Sequence, residues 1–361
     1  MIIDKYIFMN LEIRKFADID IQDTFFDSLR TSYPGFNQWF ARKAAAGETA
    51  YVFYDELQKL SDFLYLKIEN GAVTDIEPKR PEKKRLKVGT FKLKSRGTRR
   101  GERFMKKIMD RAIADDVDEI YVTIFPTEEL QYLISMFTAF GFIHVADKPH
   151  EEGNAEWVLV KDMREHVGDI VKDYPFVKTV GTNKRLLSIK PIYHTKLFPD
   201  SILKNEHYDI VQDITPTNGI FKIYICWMKD TATLKRGDNV VIYRMGDGQG
   251  PAYFRAVASS ICTVMEVKRY IDFNDLDDFL KYTQYSVFTE EERRSWYRYK
   301  SNFIVIKMLY NVAFTRKVIR KDLLEQVGIS SEAYWGFCEL SDNQYNKIIE
   351  LGGTNERYFV D

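Results

Sequence analysis

The spacing of apolar residues changes several times along this chain, and each change predicts an element. Leu86, Val88, Phe91 and Leu93 largely alternate with polar residues, as a strand requires. A loop rich in Gly and Arg follows. Phe104, Met105, Ile108, Met109, Ala112 and Ile113 then recur at the three-and-four spacing of one helix face. Around this unit the pattern predicts a strand at Leu11–Phe16, a helical Asp20–Ala45 broken at Pro34-Gly35, and a hairpin from Thr49–Glu56 and Phe63–Ile68. It continues with a strand at Ile120–Phe125, a helix at Glu128–Ala139, a Phe140-Gly141-Phe142 turn and a strand at Glu156–Asp162. A polar helix is expected at Met163–Asp173, then a linker at Val180–Arg185.

Beyond about Ile192 the period shortens toward two. Ile220–Met228, Asn239–Met245, Ala252–Val264 and Phe303–Val312 read as strands. Thr289 with Glu292, and Ser341 with Gln344, have capping-box spacing and start two short helices. No internal repeat or low-complexity segment is present. A chain of 361 residues exceeds one ordinary core. The expected division is residues 1–165, a linker with a helix at 166–190, and a second domain at 191–361.

Charge narrows the partners. Lys and Arg number 53 and so do Asp and Glu, so there is no global attraction to nucleic acid or membrane, and any polyanion site must come from local clustering. Such a cluster runs from Lys79 to Arg111, where basic residues far outnumber Glu82, Glu102 and Asp110; its first part, Lys79–Lys87, reads as a solvated loop. The apolar runs are short and Met1 is not followed by a signal-peptide pattern, so a cytoplasmic protein is expected. Cys226, Cys262 and Cys338 are odd in number and widely spaced, which fits reduced thiols. His144, His150, His166, His194 and His207 lack metal-ligand spacing, so no metal is expected and each reads as structural.

The Gly/Arg loop is the feature that points to a ligand. A strand feeding a glycine loop that opens a helix gathers backbone N–H groups and the positive end of a helix dipole at one place, which suits a pyrophosphate. The order of elements in the first half resembles the GNAT superfamily of N-acetyltransferases, a mixed α/β sheet with flanking helices. The resemblance implies acetyl-CoA as co-substrate, bound by Arg96, Arg99, Arg100, Gly101, Glu102 and Arg103. Gly101 stands at the central glycine of the family loop, while Thr98 and Arg103 depart from its pattern. Backbone N–H groups at Leu93 and Lys94 would meet the developing oxyanion. Phe137 occupies the place of the family's usual Tyr, which leaves Tyr132 and Ser135 as the candidate acids.

The second half resembles a PUA-like domain of the ASCH/EVE kind, a small β-barrel with helices, through Leu234–Tyr243 and the strand around Arg255–Val257. The ASCH signature Gly-x-Lys-x-x-Glu-x-Arg is absent. The resemblance implies RNA as partner, tRNA included, with Trp227, Tyr243, Arg244, Trp296, Tyr297 and Trp335 offering stacking and cation–π contacts. Together the halves imply an N-acetyltransferase acting on an amine carried by RNA, in a regulatory or toxin-like role, as a monomer or a homodimer. Two alternatives stand beside it: a protein or small-molecule N-acetyltransferase, and a non-catalytic nucleic-acid-binding protein.

Overall fold

A computed structural model describes residues 11–55, 57–94, 99–150, 154–198, 201 and 219–361. Backbone contacts divide the chain into two units, Met1–Asp173 and Tyr174–Asp361.

The first unit holds seven strands: β1 (Glu12–Lys15), β2 (Thr49–Tyr54), β3 (Leu60–Val73), β4 (Arg80–Leu93), β5 (Glu119–Ile124), β6 (Ile143–Pro149) and β7 (Ala155–Asp162). They form one sheet in the order β1-β2-β3-β4-β5-β7-β6. Only β4 and β5 run parallel, because α3 (Arg100–Ala114) crosses between them. Helices α1 (Asp27–Ser32) and α2 (Phe36–Ala45) cover one face, where Phe16 packs edge-on against Tyr65 of β3 and Trp39 of α2. On the other face lie α3 and α4 (Gln131–Ala139), and Phe91 of β4 meets Phe104 and Phe137 at 5.4 and 5.5 Å between ring centres. Burying each such ring contributes roughly 1.5–3 kcal/mol.

Two expectations fail here for identifiable reasons. Met163–Asp173 is not a helix but a series of turns. Asp162 accepts from the N–H groups of Arg164 and Glu165, Asp169 from Val171 and Lys172, and Asp173 from Val167 and Gly168. Short carboxylates have captured the donors a helix needs. Lys79–Lys87 is not a solvated loop either, since β4 begins at Arg80. Arg80, Lys83 and Arg85 converge on the buried carboxylate of Glu119 in β5, which they hold below its usual pKa against the opposing effect of burial.

The Phe140-Gly141-Phe142 corner forms as expected. Gly141 has φ of +87°, and a Cβ there would come within 2.4 Å of the Lys172 carbonyl oxygen. Only glycine fits that position.

The second unit is built on six strands: β9 (Lys184–Ile189), β10 (Phe221–Cys226), β11 (Asn239–Arg244), β12 (Val257–Arg269), β13 (Ile304–Ile319) and β14 (Phe337–Leu340). A two-residue β8 (Val177–Lys178) pairs separately with β15 (Phe359–Val360). The larger sheet has the order β10-β13-β12-β11-β9-β14, with β9 and β11 parallel. Tyr224 of β10 donates to the Ser188 carbonyl of β9 at 3.5 Å, so the sheet curls across its own core. Among the described residues no pairing joins its edges, and the result is a curled open sheet where a closed small barrel was expected. The expected linker at Val180–Arg185 runs directly into β9.

Helices α5 (Pro191–Leu197), α6 (Ala252–Arg255), α7 (Leu276–Tyr282), α8 (Glu290–Tyr299), α9 (Arg320–Glu325) and α10 (Asp342–Gly352) connect these strands. Thr289 and Ser341 each cap a helix with the reciprocal bond from Glu292 and Gln344 that their spacing predicts. Ala252–Arg255, expected as strand, is the short α6 that leads into β12. Among the described residues no helix is long and apolar enough to cross a membrane.

Candidate functional site

The sheet of the first unit opens beside α3. Strands β4 and β5 pair only from Arg85–Glu119 to Val88–Val122, although β4 runs on to Leu93 and β5 to Ile124. The cause is a single extra residue. Against β3, Val88 stands opposite Leu66 and Thr90 opposite Tyr65, so Gly89 is a bulge. A bulge bends its strand, and here the bend carries β4 away from β5. Gly89 is glycine because a Cβ there would lie 2.7 Å from Cδ1 of the buried Tyr65 ring.

The phase of the β3–β4 ladder tells which backbone groups face the gap. Lys94 donates its N–H to the Ser61 carbonyl at 3.0 Å, and in an antiparallel pair alternate residues point toward and away from the partner. Lys92 and Thr90 therefore share the direction of Lys94, while Phe91 and Leu93 direct their N–H groups into the gap. Leu93 thus faces the gap, Lys94 turns toward β3, and Phe91 shares the gap side with Leu93.

At the end of the gap α3 begins. Arg99, in left-handed conformation at φ 57°, precedes it and makes no side-chain cap bond. The expected binding side chains separate into distinct environments. Arg100 is 5% exposed and turned inward, its Nη1 2.6 Å from Asp62 Oδ2 and bonded to Ser61 Oγ, with the guanidinium 4.9 Å from the Phe53 ring centre. Through these contacts it ties the start of the helix to β3. Gly101 is buried, and a Cβ there would lie 3.0 Å from Met136 Sδ and 3.1 Å from Leu93 Cδ1. Its small size thus serves close packing of α3 on α4 and β4. Arg99 pairs with Glu102 at 2.8 Å, and Arg103 lies 5.5 Å from the Phe53 ring centre. Arg96 lies outside the described residues. Among the described residues, the first turn of this fifteen-residue helix offers backbone N–H groups to an anion beside an open strand edge.

On α4, Phe137 is fully buried between Phe91 and Phe142, so the place of the family Tyr is core. Tyr132 and Ser135 are both exposed on that helix.

A polar cluster that the sequence did not single out sits at the far end of β5. Glu156, only 2% exposed, accepts from Tyr33 Oη at 2.5 Å and lies 3.0 Å from His150 Nε2. Phe125, the residue after β5, lies between them, its ring centre 5.8 Å from that of Tyr33 and 5.1 Å from that of His150. Burial first, then the Glu156 charge, push the Tyr33 phenol pKa far up, so it remains a donor. These residues come from the α1–α2 connection, the β6–β7 turn and β7, and no spacing pattern joins them.

In the second unit the expected aromatic residues form two groups. Trp227 and Trp296 pack edge to face at 5.1 Å, with Trp227 40% exposed and its Nε1 donating to the Lys300 carbonyl. Tyr297 stacks on Phe279 and belongs to the core side of α8. Tyr243 is buried, 5.4 Å from Trp335, whose ring also carries the Arg320 guanidinium at 4.2 Å. Arg244, the last residue of β11, is 3% exposed. Near this second group, past the parallel ends of β9 and β11, a cavity of about 400 Å³ is lined by Lys190, Pro191, Ile192, Met245, Gly246 and Asp247. Asp247 is held by both Nε and Nη2 of Arg255, which keeps its carboxyl well below the usual range. Among the described residues no group of three His, Cys, Asp or Glu is placed to hold a metal.

No family model and no curated protein matches the chain. Solved structures do. The chain is similar to the ASCH protein of Zymomonas mobilis, at 8% identity over 46% of this chain and 94% of that one, with a TM-score of 0.32. It is also similar to Chaetomium thermophilum Naa20 in complex with a bisubstrate analogue, at 12% identity over 45% and 88%, with a TM-score of 0.31. A third is Arabidopsis thaliana NAA60 in complex with acetyl-CoA, at 11% identity over 42% and 99%, with a TM-score of 0.30. Each likeness spans less than half of this chain.

Proposed function

We propose that the first unit is an acetyl-CoA-dependent N-acetyltransferase and that the second unit binds RNA, so that the acceptor amine is carried on an aminoacyl-tRNA or a base. The observation that carries the first half of this reading is the opening of β4 from β5 at Gly89 beside the start of α3. Acyl transfer from a thioester needs a slot for an extended pantetheine arm, a seat for the pyrophosphate and donors aimed at the oxyanion. The gap is such a slot, the first turn of α3 is such a seat, and the Phe91 and Leu93 N–H groups are such donors. Acetyl-CoA is a substrate in this scheme. The chain's own contribution is to hold it extended and to stabilise charge on the carbonyl oxygen as the amine adds.

The RNA half rests on the cavity past the ends of β9 and β11, on the Tyr243–Trp335 ring pair and on the exposed Trp227 edge. A cavity lined by the apolar Ile192 and Met245 together with Lys190 suits a flat heteroaromatic base. With zero net charge, stacking and shape should outweigh bulk attraction, and the salt dependence of binding should be shallow.

Calorimetry of the full chain with acetyl-CoA, and with CoA as competitor, tests the first half. Absence of heat and of competition would end it. Filter binding with total tRNA tests the second, and a chain that binds acetyl-CoA but no RNA would leave a protein or small-molecule acceptor instead.

A further inference from the structure

The cluster at the end of β5 has no part in the scheme so far, and it supplies what that scheme lacks. We infer that His150, oriented by Glu156, takes the proton of the acceptor ammonium; this rests on the acyl-transfer reading. Glu156 is buried with both carboxylate oxygens engaged, one by the Tyr33 hydroxyl and one by His150 Nε2. A carboxylate so held fixes the neutral imidazole with its proton on Nε2, which leaves the Nδ1 lone pair as the base. The His150 side chain is 31% exposed, so solvent or an acceptor reaches it, while Glu156 is sealed beneath.

Position supports the role. Phe125 follows the last residue of β5, and it touches both Tyr33 and His150. Register places Phe125 three residues past Val122, where pairing with β4 stops, or about 10 Å along the strand. Tyr121 of β5 bonds Glu69, which lies with Lys67 on the β3 face that carries Tyr65, so Phe125 and the cluster lie on the α1–α2 face of the sheet. The first turn of α3 lies on the other face. Donor and acceptor would therefore enter from opposite faces and meet in the gap.

The step balances simply. The acceptor ammonium gives one proton to His150 Nδ1, and its lone pair forms the C–N bond to the thioester carbonyl. As the tetrahedral intermediate collapses the C–S bond breaks, and the second amine proton reaches the departing thiolate. Imidazolium then returns its proton to solvent. Glu156 and Tyr33 are positioning residues. Among the described residues the titratable groups against His150 are Glu156 and Tyr33; on β6, Lys148 is paired with Asp75 and His144 with Asp147.

The test compares two amines with the full chain and acetyl-CoA. Methylamine must lose a proton before it attacks, whereas hydroxylamine is already neutral at pH 8. His150→Gln should slow transfer to methylamine by about 10²-fold, leave hydroxylamine within about threefold, and leave acetyl-CoA affinity unchanged. Glu156→Gln should slow methylamine transfer while sparing hydroxylamine, and Glu156→Asp should restore part of the rate, as expected of a carboxylate that only orients the imidazole. His150→Asn serves as a second variant should the first misfold. Equal losses for both amines, no loss for methylamine, or acetyl-CoA binding without turnover of either amine would each overturn the assignment. No acetyl-CoA binding at all would instead remove the acyl-transfer reading beneath it.

Discussion

Arg100 and Asp62 form a buried ion pair, Nη1 to Oδ2 at 2.6 Å, which ties the first turn of α3 to the start of β3. Read from the sequence, Arg100 is one more positive charge in a basic loop. In the fold it is an anchor.

Breaking that pair should therefore show first in stability. Arg100→Met leaves Asp62 buried without its cation and should cost about 3–5 kcal/mol. The double variant Arg100→Met with Asp62→Leu should recover much of this. Urea unfolding of the two single variants and the double variant closes the cycle, and additive losses would contradict a coupled pair.

Gly101 and Gly141 should respond differently to alanine. At Gly101 the new methyl meets only the movable ends of Met136 and Leu93, so the change should stay within about 1 kcal/mol, whereas Leu there should overpack by about 1–3 kcal/mol. At Gly141 the methyl meets the Lys172 carbonyl and a positive φ, and the left-handed backbone alone adds about 1–2 kcal/mol. Melting temperatures of the three variants test the ordering.

His194 should make the second unit acid-sensitive. Burial, aided by Arg244 and Lys317, lowers its pKa to about 3, and its Nε2 lies 2.7 Å from Ser259 Oγ. The unfolded chain takes up a proton near the ordinary histidine pKa of about 6.5 that the folded chain refuses. Stability is thus fully present above that pH and falls as pH drops through the window toward 3. His194→Gln should flatten this slope, whatever its effect at neutral pH, as followed by denaturant midpoints from pH 7 to about 4.

Thr289→Ala and Ser341→Ala should each cost about 1 kcal/mol, since each hydroxyl caps a helix through the N–H three residues on. Chemical denaturation of the two variants checks the value, and the pair should add because they serve different helices.

These two caps were legible because the signal lies within four residues. The α3 face and the Phe140–Phe142 corner were legible for the same reason. Local pattern could not reveal the turns at Met163–Asp173, where apolar spacing is weak and carboxylates decide the backbone. Nor could it reveal that Lys83 and Arg85 serve Glu119, a partner more than thirty residues away. The His150–Glu156–Tyr33 cluster spans 123 positions from Tyr33 to Glu156, and only the fold assembles it. Phe91 entered the site through register alone.

Gly89 is, for folding, a surplus letter. With it removed, Thr90 would follow Val88 directly and still stand opposite Tyr65, because β3 pairs residue by residue from Asp62 to Gly71. Every side chain of β4 from Lys83 on would keep its face, and the ladder would run regularly from Lys83 to Leu93. Nothing would then bend β4 away, and its edge would be at liberty to zip along β5 past Val122. A chain shortened by this one residue should be as stable as its parent or more so, and shut. For stability alone the glycine is dispensable; what it contributes is an edge of β4 that stays free of β5.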